Sequence, residues 1–145
     1  MERWHQQLEG KLEGGLDAII HEDCVFYSPI VFRPQEGRDL TKMYLGAAAG
    51  TLGGVDAGPA GSDDGSTEGA FRYTKEILQG HQAMLEFETT IPGDDGEPKY
   101  ANGVDIITCD DDGMIVEFKV MMRPLQAING VHAQMQAMLE RMAAG

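Results

Sequence analysis

Asp105 lies in the run Val104-Asp105-Ile106-Ile107 and is the one acidic side chain flanked on both sides by branched apolar residues. Carrying such a carboxyl into an apolar interior disfavours its ionised form, which raises its pKa and suits it to donate a hydrogen bond or act as a general acid near neutrality. Strand alternation leaves two placements open: facing a pocket, as a chemical group, or on the opposite face, as a structural or interface group. His21, after Ile19-Ile20 and ahead of a β-rich run, is a second candidate, because imidazole titrates near neutral pH. His81 sits in a Gln-Gly-His-Gln stretch that reads as a turn, and His5 and His132 read as helix-surface residues. No HxH, HxxxH or HExxH spacing occurs, so no metal site is expected. Cys24 and Cys109 each lie in an apolar stretch, far apart in the chain, which favours buried reduced thiols over a redox or zinc motif.

A carboxyl in a pocket needs walls. Tyr27, Tyr44 and Tyr73, with Trp4, Phe87, Phe118, Val120 and Met122, together supply a lining for an apolar or aromatic molecule. Taken singly, each tyrosine is better accounted for by a buried ring whose hydroxyl finds one partner. Arg33 and Arg123 each precede a proline at a strand end. Arg123 is the arginine included among the ligand-binding candidates, as a bidentate clamp for a carboxylate; pairing with a neighbouring acid is the competing use. Three Asp-Asp-Gly triplets lack the remaining spacing of an EF-hand loop and read as turns.

These residues must be held by helices and strands, and the periodicity says which. Trp4, Leu8 and Leu12 recur every four residues, Gly14-Gly15 interrupts, and Leu16, Ile19 and Ile20 resume, which predicts a helix, a break and a short second helix. Cys24 to Ser28 reads as a strand ended by Pro29, and a helix is expected from Gly37 through Leu52. The Gly-rich stretch 53–69 reads as a long flexible surface loop within a single domain spanning residues 1–145. Beyond it the period changes to two: Phe71, Tyr73 and Ile77 share one face, as do Leu85, Phe87, Thr89 and Ile91. Polar turns at 93–96 and 110–113 then join the strands into a four-stranded antiparallel meander, and Pro124 to Ala144 closes the chain with a helix. The expected fold class is α+β: a cone-shaped, curved antiparallel sheet packed on N-terminal helices, with a C-terminal helix.

Charge narrows the partners. With 24 acids against 11 bases in 145 residues the net charge is −13, and no two of the cations are adjacent. A phosphate backbone or an anionic membrane surface is therefore an improbable partner for electrostatic reasons. Many of the acids, among them Asp63, Asp64, Glu68, Asp94, Asp95, Glu97, Asp110, Asp111 and Asp112, fall in or beside the Gly-rich stretch and the two polar turns, where they solvate the chain. The N-terminus has no apolar signal region and no run reaches membrane-spanning length, so a cytoplasmic protein is expected.

The sequence resembles the nuclear transport factor 2-like superfamily, in its SnoaL-like branch. The residues that carry the likeness are Phe26 to Pro34 with its Tyr-Ser-Pro element, Gln35 to Gly37 leading into a helix, and Asn102 to Ile128. The resemblance implies a cone enclosing a deep apolar pocket, commonly in homodimers, among ketosteroid isomerases, limonene epoxide hydrolases, polyketide cyclases and scytalone dehydratases. It places Asp105 where ketosteroid isomerases hold a protonated, oxyanion-stabilising aspartic acid, and Tyr44 where a pocket aromatic stands. The isomerases' catalytic aspartate, which precedes a proline after the first strand, is Ser28 here, and no tyrosine occupies the Trp4 to Gln7 helix where they carry one. The epoxide hydrolases' Asp-Arg-Asp set is not assembled, although Asp105 and Arg123 match two of its members.

Two functional readings follow. In the first, an apolar pocket binds a small hydrophobic or aromatic molecule, and Asp105 with His21 serves a cofactor-independent isomerase, lyase or hydrolase. In the second, the protein is a non-catalytic homodimeric ligand-binding or association module in which Asp105 is structural.

Overall fold

The structure, a computed structural model, describes residues 1–51, 71–93 and 95–145. Helix α1 (Glu2–Leu8) and a 3₁₀ turn (Gly15–Ala18) precede strand β1 (Ile20–Tyr27), a short β2 (Gln35–Glu36) and helix α2 (Arg38–Thr51). Four strands follow, β3 (Arg72–Gln79), β4 (Gln82–Pro92), β5 (Pro98–Cys109) and β6 (Ile115–Arg123), and α3 (Leu125–Ala144) closes the chain. The Gly-rich stretch and its reading as a loop lie outside the described residues.

The six strands form one curved sheet in the order β2-β1-β6-β5-β4-β3, open rather than closed into a barrel. Strands β3 to β6 are the expected antiparallel meander. The sheet as a whole is mixed, which corrects the all-antiparallel expectation: β1 runs parallel to β6, with Phe26 opposite Phe118 and Tyr27 opposite Lys119. Hairpin turns impose antiparallel neighbours only on strands they join, and the long connection through α2 leaves β1 free to add to the edge of β6 in the other sense.

Burial follows the pleat. On β4 the side chains of Ala83, Leu85, Phe87, Thr89 and Ile91 are buried, and on β5 those of Ala101, Asp105 and Ile107 point the same way, toward the helices. They meet Trp4 from α1, and Ala47 from α2 packs with Ala127 and Val131 from α3. Gly103 holds a close approach on this face: a Cβ there would stand 2.4 Å from Phe87 Cζ and 2.6 Å from the Met121 carbonyl oxygen.

One strand departs from simple alternation. On β3, Tyr73 pairs with Phe87 and Lys75 with Glu86, so Thr74 is an extra residue in a β-bulge. The bulge reverses the facing of everything after it. Tyr73 stays inside, whereas Ile77, expected on the same face, is 55% exposed on the outer face opposite Met84.

Candidate acid–base cavity

Asp105 points inward from the middle of β5 and is 6% exposed. Its Oδ2 accepts a 2.6 Å hydrogen bond from the Tyr73 hydroxyl, and the Tyr73 oxygen accepts a 3.0 Å bond from Trp4 Nε1. An indole N–H can only donate, so the order of donors along this chain runs from Trp4 to Tyr73 to Asp105. Among the described residues no cation pairs with the carboxyl. Desolvation by burial pushes Asp105 up to about 7 from an ordinary 3.8, against the opposing effect of the Tyr73 hydrogen bond. Burial also pushes the Tyr73 phenol well above its usual range, and the nearby Asp105 charge adds to this.

Among the described residues Tyr73 is the one hydrogen-bond partner of Asp105, and it uses Oδ2. No fully buried side-chain oxygen among those residues lacks a partner, so the unpartnered Oδ1 borders open space. That space is a cavity of about 220 Å³ between the sheet and the helices. The sheet contributes Phe26, Tyr73, Phe87, Asp105, Phe118, Val120 and Met122 to its walls; α1 contributes Trp4, Gln7 and Leu8; α2 contributes Tyr44 and Leu45; and α3 contributes Val131 and Met135. Asp105 is the single carboxyl among the described lining residues. Ser28 also lines it, with its Oγ accepting the backbone N–H groups of Ile30 at 3.1 Å and Val31 at 3.4 Å.

Eight residues named from sequence therefore meet around one space: Asp105, Trp4, Tyr44, Tyr73, Phe87, Phe118, Val120 and Met122. Three do not. His21 follows the inward-facing Ile20 on β1 and so points away, where its Nδ1 accepts the Asp23 backbone N–H at 3.0 Å. Tyr27 follows the inward-facing Phe26 and lies on the outer face, with Lys119 Nζ 4.6 Å from its ring centroid. Arg123 follows Met122 at the exposed end of β6 and donates through Nε to Asn102 Oδ1 at 2.9 Å on the outer face. In each case the alternation of the strand, once its phase is known, sends the side chain outward.

The cavity also uses residues that sequence reasoning passed over. Gln7, Leu16, Leu45 and the small side chains Gly46, Ala48 and Ala49 line it. The small-residue run of α2 was a usable signal, because a helix face without bulk leaves room beside a sheet. Among the described residues no group of three or more His, Cys, Asp or Glu is placed to hold a metal ion. No helix among them is long and apolar enough to cross a membrane.

No protein-family model matches the chain, and no curated protein does. Solved structures are similar to it over nearly its whole length. A steroid delta-isomerase from Pseudomonas aeruginosa shares 27% identity over 99% of this chain and 91% of its own, with a TM-score of 0.79. An uncharacterised bacterial protein with a cystatin-like fold from Silicibacter pomeroyi shares 26% over 97% and 82%, with a TM-score of 0.72. A protein from Shewanella denitrificans, provisionally assigned as a SnoaL-like polyketide cyclase, covers 91% of this chain and 96% of its own at 12% identity and a TM-score of 0.56, a likeness of fold alone. These likenesses show that the chain has the nuclear transport factor 2-like fold, which the SnoaL-like structure shares.

Proposed function

We propose that this protein is a cofactor-independent acid–base catalyst that isomerises or cyclises a small apolar or aromatic molecule bearing a carbonyl or hydroxyl oxygen, with Asp105 as the proton-transferring group. The observation that carries this reading is a carboxyl held near neutrality by desolvation, fastened at Oδ2 and open at Oδ1 to an apolar cavity. Because Oδ2 receives the Tyr73 proton, the proton of neutral Asp105 belongs on Oδ1, facing the ligand. It passes to the substrate oxygen as bonds reorganise, and a proton released from substrate carbon or hydroxyl returns to the carboxylate, so the cycle is balanced by one group. A pKa near 7 suits both halves of that exchange. The low polarity of the walls strengthens the donated hydrogen bond relative to water.

Size sets the substrate class. A cavity of roughly 150 Å³ accommodates benzene, so one of about 220 Å³ suits a molecule of one or two rings. Similarity to a steroid delta-isomerase favours the isomerase side of the proposal. The test is a panel of decalin-sized β,γ-unsaturated ketones, followed by the absorbance of the conjugated product. Asp105→Asn keeps a donor for binding and cannot give up a proton, so it should still bind while turnover is lost. Unchanged turnover in that variant would overturn the proposal, and binding without turnover in the wild type would select the non-catalytic reading.

We propose further that a second copy of the chain covers the outer face of the sheet. There Ile77, Met84 and Met121 are 55%, 43% and 53% exposed and share a shallow groove with Lys75, Glu86 and Arg123. A two-fold axis through such a patch makes every contact reciprocal, and a patch that carries both Lys75 and Arg123 and the acid Glu86 can then pair opposite charges twice over. Light scattering at micromolar concentration should give a dimer, and a monomer there would refute this.

A further inference from the structure

We infer that Trp4 is a positioning residue: its indole N–H locks the direction of the Tyr73 hydroxyl and thereby keeps the proton of neutral Asp105 on the oxygen that faces the cavity. This rests on the acid–base reading for its functional meaning, but the physical claim concerns three side chains only. A neutral carboxyl and a phenol 2.6 Å apart can be bonded in either sense. In one sense Tyr73 donates to Oδ2 and the acid's proton is left on Oδ1. In the other the acid donates to the phenol oxygen, its proton is consumed inside the protein wall, and the cavity is left facing a carbonyl-type oxygen that cannot donate. The second arrangement requires the Tyr73 proton to turn toward Trp4, where a donor-only N–H already points at the phenol oxygen from 3.0 Å. Trp4 thus excludes the arrangement that would disarm Asp105.

The three residues come from three elements, α1, β3 and β5, and the two donors are nearly closed off from bulk solvent: Trp4 is 5% exposed and Tyr73 7%. The fixed rings keep the donor in place. Trp4 packs against Phe118 at 5.1 Å between centroids, and Tyr73 packs edge-on against Phe71 at 5.1 Å and His5 at 5.9 Å. The titratable groups around the relay are Glu76 on β3, His5 on α1, which holds Glu76 at 2.7 Å, and Tyr44 on α2 in the cavity wall. Strands β4 and β6 face it with Leu85, Phe87, Phe118 and Val120, β1 with Phe26, and α3 with Val131 and Met135.

Trp4 is the chain's single tryptophan, so it can be replaced throughout by an analogue that carries sulfur in place of the indole N–H and keeps the ring shape. The readout is the Asp105 carboxyl titration by carbon NMR on the ligand-free protein. A committed Tyr73 donor favours the carboxylate, so Tyr73→Phe should raise the Asp105 pKa by about one to two units. The sulfur analogue should raise it by a fraction of a unit, on the order of half. In the Tyr73→Phe background the analogue should add nothing, because the N–H then has no phenol to orient. An equal shift in both backgrounds, or none in either, would show that Trp4 acts through packing alone and would overturn the inference. Trp4→Phe, read in the same way, keeps the test decisive if the analogue incorporates poorly. None of these outcomes depends on turnover: a coupled titration with an inactive cavity would remove the proposed function and leave the lock.

Discussion

Asp105 and Glu86 stand on adjacent strands, one residue apart in register and on opposite faces of the sheet, and their carboxyls are shifted in opposite directions. Leu85 pairs with Asp105 and Glu86 with Val104, so the two acids share almost the same backbone position. Inside, Asp105 has one neutral partner and no cation among the described residues, and desolvation raises it to about 7. Outside, Glu86 takes a 3.1 Å hydrogen bond from Asn102, which lowers its pKa most, with Lys75 at 3.5 Å assisting. The contrast runs along the sheet: the outer face carries further pairs, Arg72 with Glu88 at 2.9 Å and Lys119 with Glu117 at 3.9 Å, whereas among the described residues that line the cavity Asp105 is the single acid, set among rings and aliphatic groups. An acid that contributes to solubility is surrounded by partners; an acid poised for proton exchange is left without them.

The largest effect that separates the two is catalytic. Removing a general acid–base group typically costs 10²- to 10⁴-fold in rate, which is about 3–5 kcal/mol in the barrier. Asp105→Asn is expected to lose turnover on that scale, and Glu86→Gln to lose none. Comparable losses in both would mean that facing and desolvation are not what matters.

The next effect is on stability, and its sign follows from the direction of the shift. Between about pH 4 and pH 7 folded Asp105 holds its proton while the unfolded chain has released it, so the folded state binds more protons and stability falls as pH rises through this window. Below it the carboxyl is neutral in both states and costs nothing extra. Integrated over the shift, the penalty at neutral pH is about 4 kcal/mol. Asp105→Asn should therefore gain stability over the wild type as pH is raised from 4 to 8, measured by urea unfolding at each pH. A constant difference across the range would show that the carboxyl is not desolvated.

Asp105 was legible in the sequence because it breaks a local pattern that the other acids obey. Its partners were named only as wall residues. Trp4 and Tyr73 lie 69 residues apart, and Tyr73 and Asp105 lie 32 apart, so what joins them is the strand order and not any spacing along the chain. The Thr74 bulge was likewise hidden, and it alone decides that Ile77 leaves the core. Tyr27 and Arg123 show the opposite case. Phe26 and Met122 face inward, and alternation from either one already sends its neighbour outward, so strand phase decides against residue type here. The parallel pairing of β1 depends on which edge the first strand joins, and local periodicity carries no information about that.

A third prediction concerns how the inner face is built. Gly103 sits two residues before Asp105, and a methyl group there would overlap both the Phe87 ring and a backbone carbonyl of β6. A ring can shift but a sheet carbonyl cannot, so Gly103→Ala should destabilise the fold by about 2–3 kcal/mol. Gly46, at the cavity edge of α2, has no described residue within 4 Å of the same added carbon, and Gly46→Ala should stabilise by about 0.5–1 kcal/mol through helix propensity. Thermal melts of the two variants in opposite directions would confirm that the inner sheet surface is close-packed beside a helix that leaves space.

One substitution should change one carboxyl and leave the other alone. Asn102 lies between the two acids in sequence terms: its Nδ2 donates to Glu86 Oε1 at 3.1 Å and to the Phe87 carbonyl at 2.9 Å, and its Oδ1 accepts from Arg123. Asn102→Ala removes the main influence that lowers Glu86, so the Glu86 pKa should move up toward its ordinary value, while the Asp105 titration stays where it is. Since the lost bonds lie on the half-exposed face, the stability change should be no more than about 1 kcal/mol. Carbon NMR titration of both carboxyls in one sample is the measurement. If Asp105 moves together with Glu86, the two faces communicate through the strand, and the raised pKa inside can no longer be ascribed to desolvation alone.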